Sequence, residues 1–313
     1  METKVCLCCG KPIEEGLWHS HCIKRFFGGD QLPEINFADI EQMAVHQLSE
    51  SRGVAGVQEK LSLHIERNRG ERPRLTIFGY PSGYILKPQS GKYKQLPEYE
   101  QTAMLLANLC GIQTVPHGLI PINDGRELAY ITKRIDRDGV KKIHMEDFCQ
   151  ASETTTEMKY RSSYEACAAL IDQFSKYALL DKVKFFSVLY FSFVIGNSDM
   201  HLKNFSFITD EQTGSLSLAP AYDLLPTKII LPSDHEDLGM LLNGQKYNLH
   251  KHDFDAFCAA VGINEIIQRK IMESIDRNVE TMSQIIMDST LNQDGKSRWI
   301  KMIAANIKRA KRP

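Results

Sequence analysis

Gly196-Asn197-Ser198-Asp199-Met200-His201-Leu202-Lys203-Asn204 is the stretch on which the reading of this chain turns. It sets an aspartate and an asparagine five positions apart, directly after an apolar run (181 to 195) that reads as a buried helix. A carboxylate in such a loop can orient a hydroxyl and accept its proton, and a neutral amide oxygen can help to hold magnesium. Asp199 and Asn204 are the candidates. Taken alone, the pair reads more simply as turn and cap residues, which abound in loops.

Two further elements change that balance. Downstream, Leu218-Ala219-Pro220-Ala221-Tyr222-Asp223 follows a hairpin-like stretch, Phe205 to Leu218, which can return Asp223 beside Asn204 as a second magnesium ligand. A helix cap before Leu224 is the competing reading. Upstream, Lys87 ends the alternating strand Tyr84-Ile85-Leu86-Lys87, and Glu100 follows on the next helix. A strand lysine paired with a helix glutamate positions the α- and β-phosphates of ATP in kinases, whereas a lone lysine on an edge strand would need no such role. The order Lys, Glu, Asp-x-x-x-x-Asn, Asp is that of a phosphoryl-transfer enzyme.

Working outward, the pattern divides the chain in three. Residues 1–35 form a small module closed by Phe26-Phe27-Gly28-Gly29-Asp30 and Pro33. Residues 36–140 read as a β-rich lobe: a polar helix over 37–50, strands at 61–65, 75–78 and 84–87, a helix over 99–109, and strands 118–122 and 128–133 joined by Asn123-Asp124-Gly125. Residues 141–313 read as a helical lobe, with helices over 164–179, 181–195, 253–261, 263–286 and 296–309. The expected class is α+β, a bilobal protein-kinase-like fold with a β-rich N-lobe, an α-helical C-lobe and a zinc-knuckle-like N-terminal module.

The motifs Gly53-Val54-Ala55-Gly56-Val57-Gln58-Glu59-Lys60, Tyr84-Ile85-Leu86-Lys87-Pro88, Ile195 to Ser206 and Pro220-Ala221-Tyr222-Asp223-Leu224-Leu225 resemble those of HipA-family kinases, over roughly residues 50 to 310. The resemblance implies Asp199 as catalytic base, Asn204 and Asp223 as magnesium ligands, and Lys87, paired with Glu100, as phosphate contact. It further implies a phosphate-side loop of Val54, Ala55, Gly56, Val57, Gln58 and Lys60, with Lys203 also on the nucleotide. Lys133-Arg134-Ile135-Asp136 would be the hinge, reading adenine through its backbone with Asp136 near the ribose, and the Tyr222 ring would lie against adenine. Relatives phosphorylate serines in the phosphate-side loop; here those positions are Gly53 and Ala55, leaving Ser51 as the nearby hydroxyl. The chain is similar to the compact HipT form, whose missing N-terminal subdomain is a separate, HipS-like protein. The implied partners are that protein, a HipB-like helix-turn-helix antitoxin through which DNA is met only indirectly, and a substrate, an aminoacyl-tRNA synthetase phosphorylated on serine.

The N-terminal module carries separate chemistry. Cys6 and Cys9 form a Cys-x-x-Cys pair and His19 with Cys22 a second, a ligand set suited to tetrahedral structural zinc in a module too small to build much core. Cys8 and His21 leave the choice of ligands open, and a reduced, metal-free knuckle held by Trp18, Phe26 and Phe27 is the competing reading.

Composition bounds the rest. The 313 residues carry 42% hydrophobic and 25% charged side chains and a formal net charge of -1, so the whole molecule offers no charge argument for nucleic acid or an anionic membrane. The absence of a long apolar span and of a signal-peptide pattern leads to a cytoplasmic expectation. The cofactors expected are ATP and Mg2+, with structural Zn2+ at the module. Two other functions fit the same residues: a small-molecule phosphotransferase, which shares the Asp-x-x-x-x-Asn logic, and an inactive kinase-fold adaptor.

Overall fold

The computed structural model describes residues 4–35, 60–76 and 82–312. The helical stretch 37–50, the phosphate-side loop from Gly53 to Glu59, Ser51, and the end of the strand at 77–78 lie outside the described residues. The described chain separates into two compact units: one of residues 1–102, 115–142 and 288–290, the other of 103–114, 143–287 and 291–313.

The first unit is built on a six-stranded sheet. Its strands are β1 (Glu34–Ile35), β2 (Leu61–Glu66), β3 (Arg74–Thr76), β4 (Tyr84–Lys87), β5 (His117–Ile122) and β6 (Glu127–Lys133), in the order β1-β3-β2-β4-β6-β5. All neighbours are antiparallel except β1 and β3. Alternation in Leu61-Ser62-Leu63 and in β4 puts Leu61, Leu63, Tyr84 and Leu86 into the core. The β5–β6 hairpin turns at Asn123 and Gly125, both at positive φ. An N-terminal helix, α1 (Ser20–Phe27), is stopped by Gly28 in the left-handed region, and α2 (Leu96–Leu109) follows β4 with Ala103, Met104, Leu106 and Ala107 fully buried. A small ribbon of β7 (Arg137–Asp138) and β8 (Lys141–Lys142) ends this part.

The second unit is mainly helical. β9 (Met145–Asp147) pairs with the hairpin β10 (Ser206–Thr209) and β11 (Leu216–Leu218). Around them lie α3 (Phe148–Ala151), α4 (Tyr164–Phe174), α5 (Ala178–Ile195), α6 (Thr227–Ile230), α7 (Lys251–Val261), α8 (Glu265–Asp276), α9 (Val279–Asp288) and α10 (Gln293–Ala310). α5 is apolar around most of its circumference and accordingly forms the core, packing on α4, α8 and α10.

Two helices differ from the sequence expectation. The run 164–179 stops at Phe174, because Ser175 is extended and its hydroxyl donates to Asp181 (2.6 Å) and accepts from the Tyr177 amide (3.1 Å), a local alternative to helix. The run 263–286 is two helices, parted at Asn278, whose amide donates to the Ser274 carbonyl at 2.8 Å while its own carbonyl accepts from Met282. Among the described residues, no helix is long and apolar enough to cross a membrane.

Candidate active site and metal cluster

The Asp199 loop begins where α5 must end. Gly196, at φ 77°, takes the left-handed cap and returns its N–H to the Phe193 and Ser192 carbonyls. The other carbonyls of that last turn are met from α10: Trp299 Nε1 donates to Ile195 O (3.0 Å) and Asn306 Nδ2 to Phe193 O (2.9 Å). Asn197 is fully buried, and its Oδ1 accepts the Asp199 N–H at 3.2 Å, bending the chain outward at that residue. The Ser198 amide and hydroxyl meet the Thr227 hydroxyl, both at 2.7 Å, and Ser198 Oγ donates to Asp234 at 2.5 Å.

The segment before α4 holds the loop from another direction. Tyr160 donates its hydroxyl to Asp199 Oδ1, Leu202 N–H donates to Lys159 O (3.2 Å), and Tyr164 donates to Met200 O (2.9 Å). The Asp199 carboxyl is pushed above its usual range by desolvation among these groups, opposed by the Tyr160 hydrogen bond, with the charges of Asp223 and Asp234 pushing the same way as desolvation and Lys159 against it. Because the residue remains exposed, water tempers the whole effect. His201, buried, is held neutral, its pKa pushed down to about 4 by desolvation and Lys159.

Asn204 and Asp223 meet. Asn204 is buried; its Nδ2 donates to Asp223 Oδ2 at 3.2 Å and its Oδ1 accepts the His201 N–H at 3.1 Å. Asp223 stands at φ 61°, where side-chain-bearing residues are uncommon and strained, a feature that gathers at functional sites. One carboxylate and one amide oxygen are hard donors of the kind magnesium takes, and the second lone pair of the Asn204 oxygen remains available to a cation. Tyr222 shares its hydroxyl with Ser206 (2.5 Å) and Lys203 O (3.1 Å), and lines a small pocket with Val188, Leu218 and Pro220. Lys203 itself pairs with Asp147 at 2.9 Å.

In the first unit, Lys87 Nζ lies 2.8 Å from Glu100 Oε1, with both side chains nearly out of solvent, and 5.6 Å from the centre of the Tyr130 ring beside it on β6. At the expected hinge, the Lys133 and Arg134 amides are spent on the Pro116 and Gly83 carbonyls, while Ile135 N–H has no partner among the described residues. Asp136 is held by Arg134 through two bonds (2.9 and 2.7 Å) and by Arg137 (2.5 Å); although it is partly buried, these keep its carboxyl below the usual range. Lys60 is exposed ahead of β2. The other phosphate-side candidates, Val54, Ala55, Gly56, Val57 and Gln58, lie outside the described residues.

Cys6, Cys9, His19 and Cys22 converge, with all four ligand atoms within 4.8 Å of one another. His19 Nδ1 is 3.4 Å from Cys9 Sγ and 4.0 Å from Cys22 Sγ, near the roughly 3.5 Å that separates nitrogen from sulfur across a tetrahedral zinc. His19 Nε2 lies 3.0 Å from Pro12 O, which sets the proton on Nε2 and leaves Nδ1 free for a metal. Cys8, one of the two ambiguous ligands, turns away to His117 O, and desolvation pushes its thiol up to about 12; His21 stacks on His19 (5.1 Å between ring centres) and lies 3.3 Å from Cys22 Sγ, but is not one of the four converging ligands. The four can hold a metal ion.

Among known proteins, a model of the HipA-like C-terminal domain matches residues 52–285. This chain belongs to that family. It is 30% identical to Y4mE of Sinorhizobium fredii over 76% of its own length and 26% identical to a Haemophilus influenzae protein over 83%; both carry provisional kinase names. It spans 57% of Y4mE and 82% of the second. Its fold matches a chain of the Shewanella oneidensis MR-1 toxin–antitoxin HipA, HipB and operator DNA complex, with a TM-score of 0.68, 21% identity, and coverage of 85% of this chain and 70% of that one. The HipA-like match takes in Lys87, Glu100, Asp199, Asn204 and Asp223, and leaves the Cys/His cluster outside it.

Several residues that shape these sites escape the sequence. Tyr160, Thr227, Asp234 and Gly239 all act on the Asp199 loop from 29 or more positions away: Tyr160 bonds Asp199 (39 apart), Thr227 and Asp234 bond Ser198 (29 and 36 apart), and Gly239 lies against the Ser198 and Met200 carbonyls. No periodicity links them to it.

Proposed function

We propose that the chain is an ATP- and magnesium-dependent serine/threonine protein kinase of the HipA toxin type. The observation that carries this reading is the pairing of Asn204 with Asp223 in a loop that also presents Asp199, within a chain of the HipA-like family. In the proposed reaction a serine hydroxyl of a protein target attacks the γ-phosphorus. The new O–P bond forms as the bond to the β–γ bridging oxygen breaks, the hydroxyl proton passes to Asp199, and ADP leaves. Asn204 and Asp223 would hold magnesium, which supplies charge neutralisation on the phosphates. Lys87, braced by Glu100, would contact the phosphates; Lys203 and the phosphate-side loop would add to this, with Tyr222 and the Ile135 amide on the adenine and Asp136 towards the ribose. An aminoacyl-tRNA synthetase is the proposed target, and its modification would arrest translation.

For partners, we propose a HipB-like antitoxin, in keeping with the HipA and HipB complex whose fold this chain shares, and a HipS-like subdomain protein. The Cys/His cluster is proposed as a structural zinc site, supported by three thiols and one imidazole at tetrahedral spacing. Residues 1–35 would then form a module of their own.

The two acidic roles separate experimentally. Asp199→Asn should bind Mg-ATP but lose transfer by about 10²-fold or more. Asp223→Ala should weaken Mg-ATP binding as well, because it removes a metal ligand. Titration calorimetry with ATP and magnesium, beside phosphate transfer and growth assays, reads both; an Asp199→Asn protein as active as the parent would refute the assignment.

A further inference from the structure

The Cys/His cluster is joined to the elements that carry Lys87 and Glu100. Gln101, buried, follows Glu100 on α2; one residue turns a helix by roughly 100°, so the two side chains leave on different faces. Glu100 faces Lys87, and Gln101 faces the cluster, its Nε2 donating to Leu7 O (3.2 Å) and Cys8 O (2.9 Å) inside the Cys6–Cys9 knuckle. The Gln101 amide is oriented by His117, whose Nδ1 lies 2.6 Å from Oε1. Desolvation pushes the His117 pKa down to about 3, so near neutral pH the ring is uncharged and its Nδ1–H donates to Gln101. Leu7 O also accepts from Leu119 N–H (2.9 Å), and Trp18 Nε1 donates to Leu119 O (2.8 Å).

The same module reaches β4, the strand of Lys87. Phe26 and Phe27 lie 5.9 and 5.5 Å, ring centre to ring centre, from Tyr84. The approach is close enough that a Cβ on Gly118 would collide with the Trp18 ring.

We propose that the metal-binding module is a clamp on the Lys87–Glu100 pair, with Gln101 as its positioning residue, so that metal occupancy governs how well the protein uses ATP. A metal on Cys6 and Cys9 fixes the turn whose carbonyls Gln101 grips. Without it the turn is free to move, and a buried amide and two buried carbonyls lose their partners together, a loss that α2 and β4 can relieve only by shifting. The effect on ATP rests on the kinase reading; the mechanical coupling does not.

The test treats the full-length protein with a zinc chelator, follows metal release, and measures amide hydrogen exchange and ATP kinetics. Exchange in Leu96–Leu109 and Tyr84–Lys87 should rise about tenfold or more while α10 stays protected, and KM for ATP should rise about tenfold with a smaller change in kcat, both reversed by added zinc. Gln101→Met, which keeps the volume and loses the hydrogen bonds, should retain zinc yet show the raised KM, and added zinc should not restore it. Unchanged exchange in α2 and β4 after metal release overturns the clamp, as does an equal loss of protection in α10. A metal-loaded wild type without phosphate transfer refutes the kinase reading instead, and the exchange data still decide the coupling.

Discussion

A single methyl group added at Gly239 tests how rigidly the Asp199 loop is held. A Cβ there would lie 2.6 Å from Met200 O and 2.9 Å from Ser198 O, where ordinary contact begins at 3.4 Å, so the Met200 carbonyl must withdraw by about 0.8 Å. Neither atom can give way alone. Met200 O accepts from Tyr164 at 2.9 Å, Ser198 is tied to Thr227 and Asp234, and Asp199 stands between the two carbonyls. Overpacking of this kind costs about 1–3 kcal/mol. The displacement is close to the roughly 1 Å misplacement that lowers catalysis about 10²-fold. Gly239→Ala should therefore lower Tm by about 2–4 °C per kcal/mol and lower kcat by about 10- to 100-fold below that transition, with a smaller change in KM for ATP. Gly91→Ala, with nothing within 4 Å of its added Cβ, is the control. Thermal unfolding and phosphate transfer measured on both variants decide the matter: a Gly239→Ala protein with the parent's Tm and kcat refutes the claim that this close approach positions Asp199.

Tyr160→Phe removes the hydroxyl that occupies an Asp199 oxygen, the atom proposed to receive the acceptor hydroxyl. It should lower the acceptor KM about tenfold, the worth of one displaced hydrogen bond to a charged group. It should also raise the Asp199 pKa further, since that hydrogen bond lowers it, so the acid limb of the rate profile should move to higher pH; an unchanged KM and profile would count against the role. Asp237, buried and held below the usual carboxylate range by Arg309 (2.7 and 2.8 Å), Lys228 (2.8 Å) and the Leu249 amide against its desolvation, contributes stability above its unfolded-state pKa that is lost as pH falls through the lower folded value. Asp237→Asn should cost about 2–4 kcal/mol at neutral pH, somewhat below a fully buried pair because Lys228 and Arg309 keep some solvent. It should also flatten stability against pH on the acid side, which denaturant melts between neutral and acid pH will show or exclude.

What could be read from the residues and what could not follows from how far apart the interacting groups are in the chain. The class of the fold, a β-rich part followed by a helical part, was legible because period-2 strands and apolar helices announce themselves within a dozen residues. Asn204 and Asp223 could be anticipated as neighbours because a short hairpin, β10 and β11, returns the chain between them. Lys87 and Glu100 lie on consecutive elements, and the four metal ligands come in two tight sequence pairs. Helix ends were less legible: Ser175 and Asn278 interrupt apolar periodicity with side-chain bonds that the pattern does not record.

The residues that hold the chemistry in place obey a different logic. A metal ligand or a general base must be one of a few residue types, so its identity by itself narrows its role. Tyr160, Thr227, Gly239 and Gln101 do their work through a hydroxyl, a missing Cβ or an amide, features that any surface or core position can carry. Gln101 shows this most plainly: on α2 it occupies one more buried position beside Glu100, and only the placement of Leu7 O, Cys8 O and His117 around its amide gives it a role. The chemistry of the site is therefore specified locally, while its geometry is specified by contacts spread across the chain, so a substitution far from Asp199 in sequence, at Gly239 or Tyr164, bears on the loop as directly as one beside it.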